Sequence, residues 1–365
     1  MKTPRMANAV GHIDEDLITA AECKKIKKNT VLKWIAVAAC LALIVTAAIS
    51  IFPSDDSIIS TDNSKLPKIT MTDFNEMSDG FGSEILMAYQ ISDLTNNNPW
   101  TKDLELSTLP VYKNLYTYDG NGDIIGDADK YTDKLLDDVL RKAGDLPGSK
   151  VKKSLDGMGI VIEFDPEIKL DRKYNFTFNS TLEELTCVGD YFKKEYKKII
   201  DMNNPTLNIY EGDYSIYGKQ LFNIFIYDNS GSLTDRIINY HFNQVYFFPS
   251  DSGGLSTIRI QKTDLSHKVG DYPIIDYQEA ERMLFDGGYI TTVPYTLTKE
   301  DTVAKVELVY RNGCNEKYFM PYYKFYVEVK SEVDKNGLKD FGVYYVPAVE
   351  SQYITNMPVW DGSFN

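Results

Sequence analysis

Histidine and cysteine, which supply many catalytic and metal sites, are scarce: the 365 residues include three histidines and four cysteines. No H-E-x-x-H, C-x-x-C, G-x-S-x-G or P-loop pattern occurs in the chain. His241 falls in a segment predicted as a strand, where a structural role is favoured over that of a general base. We therefore predict no catalytic residue and no cofactor. Pairs of carboxylates, which serve glycosidases, cannot be recognised from sequence alone.

Positive charge is also in short supply, with 39 Lys and Arg against 53 Asp and Glu and a net charge of −14. Residues 1–33 hold seven basic and four acidic side chains, a net +3, so the remainder carries −17. An acidic surface repels nucleic acid and anionic cell-surface polymers. The charge distribution therefore argues against a nucleic-acid partner.

One long apolar run is present, residues 31–52, and its only charge is Lys33. A helix rises about 1.5 Å per residue, so about 20 apolar residues cross the hydrocarbon core of a bilayer. We predict a single transmembrane helix here. Lysines crowd the N-terminal flank, whereas Asp55 and Asp56 follow the other end. The positive-inside rule then predicts a single-pass plasma-membrane protein with residues 1–30 in the cytoplasm and the C-terminal part extracellular.

Three alternative assignments fit this apolar run less well. A core helix of a soluble protein normally keeps a polar face, which is missing here. A cleaved signal peptide normally has a shorter charged region and a shorter apolar one. The residues from Val37 to Cys40 look like a bacterial lipobox, but a longer apolar stretch continues after Cys40. The uncleaved anchor is therefore the favoured interpretation.

The residues around the predicted anchor follow a recognisable order. Ile-Asp-x-Asp-Leu-Ile runs from Ile13 to Ile18, a lysine cluster from Lys24 to Lys28, and Ala-Ala-Cys-Leu from Ala38 to Leu41. This order resembles the N-terminus of single-pass membrane proteins of Clostridia-type bacteria, many of them uncharacterised and some treated as anti-sigma-factor-like. The resemblance implies a Gram-positive plasma membrane.

Beyond the anchor, the sequence predicts an α+β fold of antiparallel sheets, each packed with one or two helices. Residues 53–68 are rich in Ser, Asp and Pro and are predicted to be a linker. The first α+β domain spans residues 69–262, with a division into 69–145 and 146–262 as the alternative. The second spans residues 270–365.

Local signals place several elements within these domains. Asp133, Ser180 or Thr181, and Asp276 are predicted to cap three helices. Alternating apolar and aromatic residues predict strands at 175–178, 221–227, 237–248 and 303–310, among others. Asn312-Gly313 is typical of a two-residue hairpin turn.

The C-terminal domain carries a second resemblance. A short helix with Glu279-Ala280 and Leu284 precedes a strand from Val306 to Tyr310. A Pro-aromatic strand then runs from Met320 to Phe325, and Tyr345 to Ala348 closes the order. It resembles PepSY-like modules and the YycI type of regulatory membrane protein. That resemblance implies a single anchor and a domain outside the membrane that tunes a sensor kinase.

Few residues point to a metal site or to a disulfide. Asp119, Asn121 and Asp123 are candidate calcium ligands, but the EF-hand spacing is not met and a Gly-Asn-Gly hairpin turn is the favoured alternative. Of the cysteines, only Cys187 and Cys314 fall outside the membrane in the predicted topology, so a single disulfide between them is one option.

We draw three functional hypotheses from these features. The leading one is a non-enzymatic, membrane-anchored extracellular protein that binds a protein partner and tunes envelope signalling. The second is an anti-sigma-factor-like regulator that acts through its cytoplasmic tail. The third is an extracellular hydrolase.

Overall fold

The computed structural model describes residues 66–72, 84–119, 124–144, 146–215, 217–330, 337–360 and 362. The predicted cytoplasmic tail, transmembrane helix and most of the linker lie outside these residues, and so do Asn121 and Asp123. Among the described residues, no helix is both long enough and apolar enough to cross a bilayer.

The described part of the chain has an α+β fold with antiparallel sheets, as predicted. Its strands in chain order are β1 (Ile85–Ala88), β2 (Thr108–Lys113), β3 (Thr117–Tyr118), β4 (Ile124–Ile125), β5 (Ser149–Lys153), β6 (Gly159–Ile168), β7 (Pro205–Tyr214), β8 (Gln220–Asp228), β9 (Asn243–Pro249), β10 (Leu255–Lys262), β11 (Lys268–Pro273), β12 (Val303–Tyr310), β13 (Tyr318–Phe319), β14 (Pro321–Val329) and β15 (Lys339–Pro347). Its α-helices are α1 (Asp127–Ala143), α2 (Leu182–Glu195), α3 (Lys197–Ile200), α4 (Leu233–Phe242) and α5 (Tyr277–Phe285).

The largest sheet has six strands in the order β5-β6-β10-β9-β8-β7. Successive residues of a strand point to opposite faces, so every second apolar residue lies on one side. On that side Ile162, Ile226 and Phe247 are buried against Val188 and Phe192 of α2. The rings of Phe192 and Phe247 are stacked 4.5 Å apart. One face of this sheet is therefore a conventional helix-covered core.

A second sheet has four strands in the order β1-β15-β14-β12. On one face Leu308, Phe325 and Tyr344 are buried in a core that also holds Ala280 and Leu284 of α5. The strand register places Glu307 beside Lys324, and Lys324 beside Tyr345, on the opposite face. One face of this sheet is thus apolar and the other carries charge.

Strand pairing joins early and late parts of the chain. The four-stranded sheet contains β1 together with β15, and a three-stranded sheet contains β2 between β11 and β13. Both sheets thus combine strands from the two sides of the boundary predicted between residues 262 and 270. Residues Asn63–Asn365 form one compact unit.

The helix starts follow the capping signals at two of three sites. Thr181 accepts a hydrogen bond from the Glu184 N–H (3.3 Å), and the Glu184 carboxylate accepts one from the Thr181 N–H (2.8 Å). Asp276 accepts one from the Glu279 N–H (2.7 Å) at the start of α5. Helix α1, in contrast, begins at Asp127, ahead of the predicted cap at Asp133.

Three local predictions were wrong. Residues 237–242 belong to helix α4 and not to a strand, because Ser232 and Asp235 form a capping box that starts a helix before the aromatic residues. Residues 175–178 form no strand, and Phe176 instead fills the core beside Phe192. Asn312-Gly313 is not a two-residue turn, because β12 and β14 are joined through residues 311–320, within which β13 pairs with β2.

Three consecutive asparagines connect the edges of the two larger sheets. Asn97 Nδ2 donates to the Leu207 carbonyl of edge strand β7 (2.8 Å). Asn98 Nδ2 donates to the Leu308 carbonyl of edge strand β12 (3.1 Å). The side chain of Asn98 also accepts a hydrogen bond from the Trp100 N–H (2.9 Å). An amide suits this position because it both donates and accepts.

We expect Asn98→Leu to lower the free energy of unfolding by about 2 kcal/mol, because it leaves a strand carbonyl and a backbone N–H without partners. Urea denaturation followed by tryptophan fluorescence measures this change. Asn179→Leu, at an exposed position, is the control and should stay within about 0.5 kcal/mol of the wild type. Equal effects of the two substitutions would show that the asparagine contacts do not stabilise the fold.

Candidate functional site

One candidate calcium ligand, Asp119, lies at the end of strand β3. Strands β3 and β4 pair through Thr117 with Ile125 and Tyr118 with Ile124, as the predicted turn requires. Asp119 follows β3, whereas Asn121 and Asp123 are not described. Among the described residues, no group of three His, Cys, Asp or Glu side chains is placed to hold a metal ion. The calcium assignment stays a prediction.

Both described cysteines are free thiols. Cys187 lies exposed on α2, and Cys314 is partly exposed in the connection between β12 and β13. The disulfide that the sequence allows between them is therefore not formed in this structure.

The paired tyrosines of the C-terminal strands are mostly core residues. Tyr323 and Tyr344 lie in the core on the α5 side of the four-stranded sheet. Tyr322 and Tyr345 lie on its other side. This alternation follows from the two-residue period of a strand, and it removes these tyrosines as an open binding surface.

The face of the six-stranded sheet that α2 does not cover carries mostly aromatic side chains. It presents Tyr210 from β7, Phe225 from β8, Tyr246 and Phe248 from β9, and Arg259 from β10, which together we call the aromatic face. Phe225 is the direct strand partner of Tyr246, and Tyr246 is the partner of Arg259. The ring centre of Phe225 lies 5.3 Å from those of both Tyr210 and Tyr246. The rings of Tyr246 and Phe248 are near-parallel at 6.2 Å.

The aromatic face is partly covered by helix α4, whose Tyr240 ring centre lies 5.3 Å from that of Phe225. Phe225 is buried, with an exposed fraction of 3%, but Tyr210, Tyr246, Phe248 and Arg259 remain half-buried. Burial raises the pKa of the Tyr210 and Tyr246 phenols, so both stay protonated at neutral pH. The Tyr246 hydroxyl donates to Gln244 Oε1 (2.6 Å). Large rings with neutral hydroxyls are thus presented on a partly desolvated surface.

Glu211 stands beside this face in a strained backbone conformation. Its φ is +74°, and φ of the next residue, Gly212, is +88°. A side chain at Gly212 would place its Cβ 2.2 Å from the Asp93 carbonyl oxygen, so only glycine fits there. Asn223 Nδ2 donates to the Glu211 carboxylate. Burial, with a contribution from Asp213, raises the pKa of the Glu211 carboxyl.

The strain at Glu211 predicts an unusual order of stability. Glu211→Gly should be more stable than Glu211→Ala by about 1 kcal/mol, because both lose the carboxylate but only alanine keeps a Cβ at positive φ. Asp137, exposed within α1, provides the control, since there alanine should be the more stable by about 1 kcal/mol. Chemical denaturation of the four variants gives both differences. The same order at both positions would contradict the strained geometry.

A charged layer, buried at Glu307 and partly exposed elsewhere, lies on the face of the four-stranded sheet that α5 does not cover, and is formed by Glu84, Lys305, Glu307 and Lys324. Lys305 Nζ lies 2.7 Å from Glu307 Oε1, and Lys324 Nζ lies 2.8 Å from Glu84 Oε1. Tyr326 Oη donates to Glu307 Oε2 (3.0 Å). Burial acts to raise the pKa of Glu307, but Lys305 and Lys324 outweigh it and lower that pKa. The charge of Lys324 also acts to lower the pKa of Glu211, so the charged layer lies within electrostatic range of the aromatic face.

The aromatic face was not predicted from the sequence. The signal was present in β8, where Phe225 and Tyr227 alternate with Phe222, Ile224 and Ile226. A strand with aromatic residues on both faces indicates that neither face is simply solvated. What the alternation did not reveal is that α2 covers one face while the other stays half open.

No family model and no curated protein matches the chain. Among solved structures, an uncharacterized protein from Eubacterium rectale ATCC 33656 is similar at a TM-score of 0.29 and 9% sequence identity. The similarity covers 67% of this chain and 84% of that chain. A likeness at this level carries no inference about the fold or the function.

Proposed function

We propose that the chain is a non-enzymatic, membrane-anchored extracellular protein that binds a ligand or partner on the aromatic face and regulates envelope signalling. The observation that carries the proposal is the coverage of the six-stranded sheet. Helix α2 buries one face, whereas on the other Tyr240 of α4 covers Phe225 and leaves Tyr210, Tyr246 and Phe248 half-buried. Contiguous aromatic surface left partly open is typical of binding sites.

The backbone at Glu211 supports the same proposal. A non-glycine residue at φ of +74° costs about 1–3 kcal/mol and persists only where the surroundings enforce it. Such strain concentrates at functional sites. Glu211 borders the aromatic face, where its carboxylate is held by Asn223. A strained acidic residue beside half-open rings is therefore consistent with a ligand contact.

The anchored location is part of the proposal. It combines the apolar run at residues 31–52 with the charge difference across it, and with the resemblance of residues 270–365 to PepSY-like and YycI-type modules. In this proposal, occupancy of the aromatic face changes how the extracellular domain acts on a membrane signalling partner.

Site-specific photocrosslinking in the native membrane tests the proposal. A benzophenone amino acid at Phe248 of the full-length chain should form a defined adduct. The same amino acid at Tyr174, which is half-buried against Tyr191 on the helix-covered side, is the control. Adducts at both positions or at neither would contradict a specific site on the aromatic face. Partners recovered only through residues 1–30 would favour the anti-sigma-factor-like alternative.

An extracellular hydrolase is the second candidate, because Glu211 and Asp213 lie in one strand bulge and burial raises the pKa of both carboxyls. A carboxyl with raised pKa can serve as a general acid. A screen of the full-length chain against polysaccharide and peptide substrates, with Glu211→Gln as the matched variant, decides this. Activity that Glu211→Gln abolishes would support the hydrolase, and uniform inactivity would eliminate it.

A further inference from the structure

We propose that the ligand of the aromatic face is an uncharged, polyhydroxylated molecule, the chemistry of a neutral carbohydrate chain. This inference rests on the proposed binding function and specifies its ligand. Three features of the face carry it: the arrangement of the rings, the hydrogen-bonding groups beside them, and the pairing of the surrounding charges.

The rings form one cluster across three strands, in which Tyr210, Tyr246 and Phe248 are partly exposed and Phe225 is buried against Tyr240 of α4. Tyr210, Phe225 and Tyr246 are linked by centre distances of 5.3 Å, and Phe248 continues the row along β9. A sugar ring has one face made of C–H groups, and these carry partial positive charge. The negative face of an aromatic ring attracts such groups. The surface therefore suits a ligand that has apolar faces as well as hydroxyls.

Polar groups at the border of the rings suit hydroxyls. The Arg259 side chain is 31% exposed and its Nη2 is held by Asp156 at 2.5 Å. A guanidinium has five N–H donors, so donors remain for a ligand. Asn223, the strand partner of Tyr210, and Glu211 lie on β8 and β7, at the opposite border of the face from Arg259. Planar amide, carboxyl and guanidinium groups bind neighbouring hydroxyls well.

The basic side chains that β5 and β10 present on this face are paired with acids. Lys152 Nζ lies 2.6 Å from Glu163 Oε1, and Lys150 Nζ lies 3.6 Å from Asp165 Oδ2. Together with the pair of Arg259 and Asp156, these contacts match each of the three basic groups with an acid. Glu211, which is held by the amide of Asn223, adds a further acidic group at the border of the rings. The face therefore offers no net attraction to a polyanion, which favours a ligand without negative charge.

Isothermal titration of the full-length chain in detergent tests the inference. The probes are the hexamers of glucose and of N-acetylglucosamine, with poly-glutamate as the anionic comparison. We expect at least one hexamer to bind and poly-glutamate not to bind. Tyr246→Ala should weaken the binding about tenfold, whereas Tyr246→Phe, which keeps the ring, should retain it. Tyr174→Ala is the control and should bind as the wild type does.

The outcomes separate this inference from the proposed function. Thermal melts show whether Tyr246→Ala is folded, and Tyr246→Phe tests the site independently. If neither hexamer binds but Phe248 still forms its specific crosslink, the binding function stands and the carbohydrate is wrong. If both fail, the aromatic face is not a site. Binding of poly-glutamate in preference to the hexamers, or equal binding by wild type and a folded Tyr246→Ala, also overturns the inference.

Discussion

Glu307→Leu should lower the free energy of unfolding by about 3–5 kcal/mol, the cost of removing one partner from a buried ion pair. The Glu307 side chain is only 8% exposed. Its removal leaves the ammonium groups of Lys305 and Lys324 close together with one fewer carboxylate to compensate them. It also removes the acceptor for the Tyr326 hydroxyl. Several buried polar groups therefore lose partners in one substitution.

A surface pair of the same chemistry provides the control. Lys152 and Glu163 lie 2.6 Å apart on neighbouring strands, but their side chains are 57% and 43% exposed. Glu163→Leu should therefore change the stability by less than about 1 kcal/mol. Urea denaturation of both variants at pH 7 measures the difference. Similar losses of stability at Glu307 and Glu163 would mean that burial does not determine how much these ion pairs contribute to the free energy of unfolding.

The elements that could be predicted from the sequence are those whose signals are local. Helix α5 and strands β12, β14 and β15 occur where capping and alternation placed them, because each buries one face against the same core. Helix α4 was missed because its aromatic residues gave a strand-like alternation, whereas Ile237 and Tyr240 are core residues at helical spacing. The alternation predicted a strand there, whereas the capping box of Ser232 and Asp235 indicates the helix that forms.

Long-range pairing could not be predicted in the same way. Strand β1 joins β15 across about 250 residues, and β2 lies between β11 and β13, although nothing in the short sequence of β1 specifies its partner. The contacts of the asparagines that join the two sheets could not be predicted either, because the run from Asn96 to Asn98 predicts only a loop. Their role follows only from which strand edges the fold brings beside them.

The candidate site contains residues whose strands could be predicted from local signals and residues that only long-range contacts bring together. The aromatic residues of β8 and β9 were visible as alternation, but which face the helices cover is a property of the whole fold. Glu211 and Gly212 gave no signal that a left-handed bulge would form, because that conformation is imposed by the backbone of Asp93 packing against Gly212. Strain of this kind arises from tertiary contacts and is expected where sequence rules fail.

The protein should lose about 2 kcal/mol of stability between pH 7 and pH 5 through His241 alone. Burial lowers the pKa of His241 to about 4 from an ordinary value of 6.5. Its Nε2 has no hydrogen-bond partner among the described residues, which disfavours a charged ring. Above pH 6.5 the ring is neutral in both the folded and the unfolded chain. Below that value the unfolded chain binds a proton that the folded chain does not, so stability falls until about pH 4.

Two substitutions isolate this contribution. Glutamine at this position cannot titrate, so between pH 7 and pH 5 the stability of His241→Gln should fall by about 2 kcal/mol less than that of the wild type. His267→Gln, at an exposed histidine, is the control substitution. Urea denaturation at pH 7, 6 and 5 provides the three slopes. The raised pKa of carboxyls such as Glu211 and Asp213 changes the stability in the opposite direction, but it does so equally in all three proteins, so the difference between the slopes of the wild type and His241→Gln reports on His241. If His241→Gln keeps the wild-type pH dependence, the pKa of the buried ring is not lowered in the folded protein and the prediction is wrong.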